Sequence, residues 1–349
     1  MSIPFEEARL DDDAELAELD PYLRWLAESG ARVRREARAY ADAAERIREP
    51  VPPRAVVAAG TDARLLRAVL EPYCPVPFVA WPGPSLPGWA GPLDLVVVLA
   101  GDGGDQPARA SVGEALRRGC NALVAAPAES AIARSVDGSR DAVHLATGTT
   151  DPFAVAVAVL TALHAWGLGP AVEPESVAAV LDDVATRNAP RRQLGDNPGK
   201  DDAIALAEHT PLVWGGSVLA ARAGRRVAEQ LRLATGLAVL AADAEQLARV
   251  LAGTPRPDVF ADPFADGPAA ASPVLLLLED GSTDPAVREQ SGRLRAAADA
   301  ASVRVVPLAA PASDGVVDEY ASLLQQGSYA AAYLALGLGR GRALVEQLG

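Results

Sequence analysis

LDLVVVLAGDGGDQPARASVGEALRRGCNALVAAP, residues 93–127, decides the fold. Leu93 to Ala100 is an apolar run rich in valine, broken by Asp94 alone and too short for a helix, so it reads as a strand of a parallel sheet covered on both faces. Gly101-Asp102-Gly103-Gly104-Asp105 ends it. From Pro107 apolar residues return at helical spacing (Ala108, Val112, Ala115, Leu116), and Asn121 to Ala126 is a second apolar run. Strand, glycine turn, helix and strand make a βαβ unit, whose two strands must be parallel.

The alternation continues outward. Strands are predicted at 55–59, 76–81 and 142–146, with helices opening near Asp62, Ala128 and Asp151. Upstream, Asp20-Pro21 starts a stretch to Arg48 with Leu23, Leu26, Val33, Ala37, Tyr40 and Ala44 at helical spacing, read as one long amphipathic helix. Beyond a helix over 172–189, the polar segment 190–199 is rich in Pro, Gly and Asn and reads as a domain boundary. The second half repeats the theme, with helices at 200–208, 217–235 and 243–251, strands at 212–215, 274–278 and 303–308, and a helical end from Val317. The expected architecture is α/β with parallel sheets: an N-terminal helical segment (1–50), a first domain (51–190) and a second (191–349).

The 349 residues carry 46 acidic and 32 basic side chains, a net charge of −14 that repels polyphosphate backbones and anionic lipid. Neither nucleic acid nor membrane is expected as a partner. Cys74 and Cys120 cannot form a disulfide framework, the acidic start has no apolar signal segment, and the longest apolar runs fall short of the ~20 residues that span a bilayer. A cytoplasmic protein is expected.

Four glycine-rich junctions follow the predicted strands: Gly60-Thr61-Asp62 with Arg64 just beyond, Gly101 to Asp105, Gly148-Thr149-Thr150-Asp151 and Gly215-Gly216-Ser217. Helix N-termini behind such turns offer N–H groups to anions, although glycine turns and Asp or Thr caps also arise with no ligand. The second junction lacks the third glycine of a dinucleotide fingerprint, Gln106 standing in its place, and no phosphate-loop lysine motif occurs. No cofactor is expected. His144, His164 and His209 are each alone, His164 reading as a packed core residue and His209 as a helix C-terminal one, so no metal site is expected either.

Several strings together resemble the sugar isomerase (SIS) domain family, in particular its two-domain bifunctional phosphoglucose/phosphomannose isomerases. They are Leu86-Pro87-Gly88-Trp89 leading to Pro92-Leu93-Asp94-Leu95-Val96-Val97, Glu114-Ala115-Leu116-Arg117-Arg118-Gly119, Asn197-Pro198-Gly199-Lys200 and Pro211-Leu212-Val213-Trp214-Gly215. Arg226 with Gln230-Leu231, Phe260-Ala261-Asp262-Pro263-Phe264 and Asp266-Gly267-Pro268 complete the set. The resemblance implies two flavodoxin-like SIS domains related by internal duplication, a homodimer, and a cleft for a sugar phosphate or sugar nucleotide.

The family's reactive groups are missing from the matching positions. Its phosphate loop, Ser-x-Ser-Gly-x-Thr, falls on Ala100, Gly101, Asp102, Gly103, Gly104 and Asp105, with every hydroxyl gone and two anions in their place. Its Gly-x-Gly-Gly-Ser turn falls on Gly60-Thr61-Asp62-Ala63-Arg64. Its glutamate base, which moves a proton between C1 and C2, falls on Leu233, and its ring-opening histidine near Arg249. Glu229 lies one helical turn from Leu233, ~6 Å along the axis, and is the weak alternative for a relocated base. The resemblance and these losses together imply a sugar-phosphate sensor or protein partner without isomerase activity. The alternatives are an active isomerase with relocated groups and a structural dimer with an empty cleft. Anion binding would require Arg64, Thr149, Thr150, Ser217 and Arg226 to converge.

Overall fold

The structure, a computed structural model, describes residues 4–44, 52–104, 106–255, 272–311, 313 and 315–346. Asp105 and the Phe260 to Pro268 strings lie outside the described residues.

Two helices open the chain, α1 (Asp13–Ala27) and α2 (Ser29–Ala44). The single helix expected from Pro21 is corrected on both counts. Asp12 starts α1, its Oδ1 accepting the amides of Ala14 and Glu15 at 2.9 Å each, and Pro21 sits inside the helix. The break falls at Glu28, and Arg32 then donates to the Ser29 hydroxyl at the head of α2.

The first sheet comprises β1 (Val56–Ala59), β2 (Phe78–Trp81), β3 (Leu95–Leu99), β4 (Asn121–Ala126) and β5 (Ala142–Ala146), in the order β2-β1-β3-β4-β5 with every pair parallel. Its helices are α3 (Ala63–Tyr73), α4 (Gln106–Arg117), α5 (Ala131–Val136) and α6 (Pro152–Ala165), followed by α7 (Pro174–Arg187). Strands β1 and β3 are buried throughout, as their valine runs require. On one face Val57, Val96, Val98 and Val124 pack with Val112, Ile132 and Val136 of α4 and α5. Each such fully buried aliphatic side chain contributes roughly 1.5–3 kcal/mol.

After α8 (Pro198–Leu206), the second sheet comprises β6 (Thr210–Gly215), β7 (Leu240–Ala241), β8 (Pro273–Glu279) and β9 (Val305–Ala309), in the order β7-β6-β8-β9, again all parallel. Its helices are α9 (Val218–Thr235), α10 (Ala244–Ala252), α11 (Pro285–Ala300), α12 (Val316–Gly337) and α13 (Gly341–Val345). Leu212, Trp214, Leu275 and Leu277 pack with Leu247, Leu251 and Leu294 of α10 and α11. On the other face α9 comes down at Gly224, where a Cβ would lie 3.2 Å from Val213. The fold is α/β with two parallel sheets, as expected; the short strand β7 was not anticipated.

Two compact units divide the chain: Glu28–Val180 with Ser313–Asp318 around the five-stranded sheet, and Met1–Ala27, Leu181–Ala312 and Glu319–Gly349 around the four-stranded one. In the latter, the chain's single lysine is wholly buried. Lys200 donates to Asp11 (2.6 Å) and to the carbonyls of Pro190 (2.9 Å) and Arg192 (3.0 Å), with the Tyr333 ring 5.7 Å away. No described helix is long and apolar enough to cross a membrane.

Candidate functional site

Both sheets offer the same kind of place. The chain runs from β1 out to β2 and returns to the other side for β3; it does the same from β6 to β7 and β8. Ligands of open parallel sheets sit beyond the carboxyl ends of the strands where that order reverses.

In the five-stranded unit the turns there are filled by the chain itself. Gly60, at φ +99°, lies against Ala108 of α4, where an added Cβ would sit 3.6 Å from the Ala108 Cβ. A Cβ on Gly101 would come within 2.9 Å of the Thr149 carbonyl and of Val155, and one on Gly104 would collide with Ile132. Asp102 turns its carboxylate back to accept the Gly104 amide at 2.9 Å.

The Gly148 to Asp151 junction is closed in the same way. Asp151 caps α6, its Oδ1 accepting the amides of Phe153 (2.9 Å) and Ala154 (3.4 Å), so a carboxylate occupies the position an anion would take at that helix end. Arg32 neutralises it with a 2.7 Å bond from Nε to Oδ2, both side chains being buried. One turn along α2, the carboxylate of Glu36 accepts the Gly148 amide at 2.9 Å. Burial pushes the Glu36 carboxyl above its ordinary range; the Gly148 N–H and Arg35 pull it down, and Asp151 pushes it up. The Thr149 hydroxyl accepts the Asp151 amide at 3.1 Å. Thr150 and Arg64 are exposed beside these turns.

In the four-stranded unit, Ser217 caps α9 by accepting the Ala220 amide at 2.9 Å and donates its proton to Asp280 at the end of β8. Gly215 and Gly216 are obligatory there, because a Cβ on either would strike Ala220 or Trp214 and Val287. Beside this turn opens a cleft of about 510 Å³, which Ser217 borders and Arg226 does not. Arg226 instead pairs with Glu229 at 3.1 Å, and Leu233 is 65% exposed. Ser217 and Arg226 therefore do not meet in this cleft.

The histidines need one correction. His164 is exposed in the last turn of α6, bonded to the Gly169 carbonyl at 3.2 Å, and is not a core residue. His144 meets the Ala126 carbonyl at 2.9 Å and His209 that of Ala207. No three His, Cys, Asp or Glu side chains among the described residues are grouped to hold a metal.

Two parallel sheets of this order, with turns at the reversal points, invite comparison with known proteins. Residues 195–344 match the bacterial phospho-glucose isomerase C-terminal SIS domain. No curated protein sequence matches the chain. Among solved structures, tagatose-6-phosphate ketose/aldose isomerase from Escherichia coli is similar over 93% of each chain at 14% identity, with a TM-score of 0.64. Glucosamine-6-phosphate deaminase from Thermotoga maritima is similar over 92% of this chain and 94% of its own at 11% identity (TM-score 0.56). The C-terminal domain of glucosamine-fructose-6-phosphate aminotransferase from Francisella tularensis is similar over 93% and 96% at 12% identity (TM-score 0.56). At these identities the likeness shows a shared fold, that of the SIS-type phosphosugar isomerases.

Among the described residues, three of the strings that carry the SIS resemblance hold the fold together. Arg54 grips the fully buried Asp94 through two bonds of 3.0 and 2.7 Å, and Gly91 donates a third. Arg118 ties the Pro87 carbonyl at 2.7 Å and Glu114 at 2.6 Å, and Arg117 and Arg118 hold the Glu114 carboxyl down at about 2. Asn197 caps α8, and Gly199 donates to Asn188 at 2.7 Å where no Cβ would fit. The Arg32–Asp151 and Glu36–Gly148 bonds, in contrast, join residues 119 and 112 positions apart and leave no local pattern in the sequence.

Proposed function

We propose that this chain is a SIS-fold sugar-phosphate-binding protein without aldose–ketose isomerase activity, a cytoplasmic homodimer acting as a sensor or partner in sugar-phosphate or sugar-nucleotide metabolism. The observation that carries the reading is the hydrogen bonding around Gly148 and Asp151. The amides that would hold a phosphate there are already taken by Glu36 and Asp151, and Arg32 is taken by Asp151. A dianion entering there would face the carboxylates of Glu36 and Asp151.

Loss of the base supports the same conclusion. Proton transfer between C1 and C2 needs a group within hydrogen-bond reach, and Leu233 offers none. Glu229, the alternative, is engaged by Arg226. The test is a coupled assay of glucose 6-phosphate, mannose 6-phosphate and fructose 6-phosphate on purified protein. No interconversion above background is expected. Turnover in the wild type that vanishes in Glu229→Gln would overturn the reading and make Glu229 the base.

A further inference from the structure

Among the described connections of the five-stranded sheet, the one from β2 to β3 crosses without a helix. Residues 82–94 carry it past β1, with four prolines and no charged side chain before Asp94.

Its two halves are fastened differently. Over 87–94, Arg118 donates to the carbonyls of Pro87 (2.7 Å) and Ala90 (3.2 Å), Arg54 to that of Trp89 (3.1 Å), and the Gly91 amide to Asp94 (2.9 Å). Leu86 is rooted in the core. Ahead of it, the only hydrogen bond among the described residues that holds 82–85 runs from the Ser111 hydroxyl of α4 to the Ser85 carbonyl, at 3.0 Å. That hydroxyl has one proton, and the Pro107 carbonyl at 2.9 Å competes for it.

Two further features make this closed arrangement costly. Ser85 has a φ of +68°, in the left-handed region that a side chain disfavours. Beneath it the Trp81 indole N–H is buried without an acceptor, and Gly83 lies over it, since a Cβ there would come 3.5 Å from Nε1. Water would satisfy that donor if 82–85 lifted. Pro82 and Pro84 fix their own φ, which leaves Gly83 and Ser85 as the places where the backbone turns.

These residues border the reversal point of the sheet. Trp81 is the register partner of Ala59, so Pro82 follows beside Gly60, which is buried against Ala108, one turn before Ser111 on α4. The Val56 amide points to the β2 side, bonding the Pro77 carbonyl at 2.9 Å, and by the alternation of a parallel ladder the Gly60 amide points the same way.

We propose that residues 82–85 form a strap with two positions: closed over the Trp81 indole as described, and open, with Ser85 out of the left-handed region, the indole N–H in water and the Gly60 turn uncovered. The strap is a gate on the reversal point of the five-stranded unit. Its operation does not depend on what the chain binds.

The experiment is native-state hydrogen exchange by nuclear magnetic resonance on the full chain at increasing low concentrations of urea. It reads the Trp81 indole N–H, assigned by its loss in Trp81→Phe, together with the Gly60 amide and the amides of β3. Opening of the strap exposes little surface, so the indole and Gly60 are expected to exchange at rates independent of urea, while the β3 amides speed up with it. Ser111→Ala is expected to speed the indole and Gly60 about fivefold, the worth of one hydrogen bond, and Ser85→Gly to slow both by a similar factor. An indole with the urea dependence of the β3 amides would overturn the strap, because its exchange would then require unfolding of the sheet. Indole exchange unmoved by both substitutions would overturn it as well. An indole that opens independently of urea while Gly60 follows β3 would overturn the gate.

Discussion

Replacing Arg32 by Met removes the cation that holds the Gly148 to Asp151 junction closed. Arg32 and Asp151 are 7% and 5% exposed and meet at 2.7 Å. At an effective dielectric of 20 their attraction is about 6 kcal/mol, and desolvation of both ions offsets part of it. Arg32→Met leaves a buried carboxylate supported only by the Phe153 and Ala154 amides, and the expected loss of stability is about 3–5 kcal/mol. Asn caps helices about as well as Asp, so Arg32→Met/Asp151→Asn removes both charges while keeping the cap. The double variant is expected to recover more than half of that loss. The assay is urea denaturation followed by circular dichroism, with hydrogen exchange at Phe153 and Ala154 as the local readout. A loss under about 1 kcal/mol, or a double variant as unstable as the single, would refute the reasoning.

Two further outcomes follow from buried charges in the four-stranded unit. Burial, then repulsion from Asp201, raises the Asp202 carboxyl from 3.8 to about 7, with Arg304 pulling it down. The folded state thus holds that proton more tightly than the unfolded one, and this contribution to stability is full below about pH 4 and lost as pH rises through about 7. Asp202→Asn is expected to stabilise the protein at pH 8 by on the order of 2–4 kcal/mol, at about 1.4 kcal/mol per unit, and to give no gain at pH 4; urea titrations at the two values check it. Lys200→Met is expected to cost about 1–3 kcal/mol in the same assay by leaving two carbonyls without their donor while Asp11, 47% exposed, turns to water, and Lys200→Arg not to restore it, because a planar fork does not replace a compact ammonium.

The fold was legible because its strands are buried on both faces and therefore written as unbroken apolar runs, such as Leu95–Leu99 and Asn121–Ala126. The strand Leu240–Ala241 was not, being two residues long with Leu240 42% exposed. Pro21 misled because proline favours a first helical turn, while the true start was signalled by Asp12, a good N-cap residue. His164 misled for a different reason: α6 is apolar on nearly every side, so its sequence names no solvent face.

The site divides along the same line. The residues at the phosphate-loop match and at Leu233 could be read because each concerns which residue stands at a given position. The closing bonds could not, because Arg32 and Asp151 are 119 residues apart and Glu36 and Gly148 are 112 apart. Only the packing of α2 brings them together. Asp94, Glu114 and Lys200, in the strings that carried the SIS resemblance, each hold part-buried polar contacts that tie the fold whatever the chain binds.

The most direct measurement of the central claim is hydrogen isotope exchange in heavy water. A base that forms an enediol places solvent deuterium at C1 of fructose 6-phosphate even when net turnover is too slow to detect. Incubating the protein with fructose 6-phosphate in heavy water and reading C1 by nuclear magnetic resonance is predicted to give no incorporation above the protein-free rate. Incorporation in the wild type that disappears in Glu229→Gln would contradict the account.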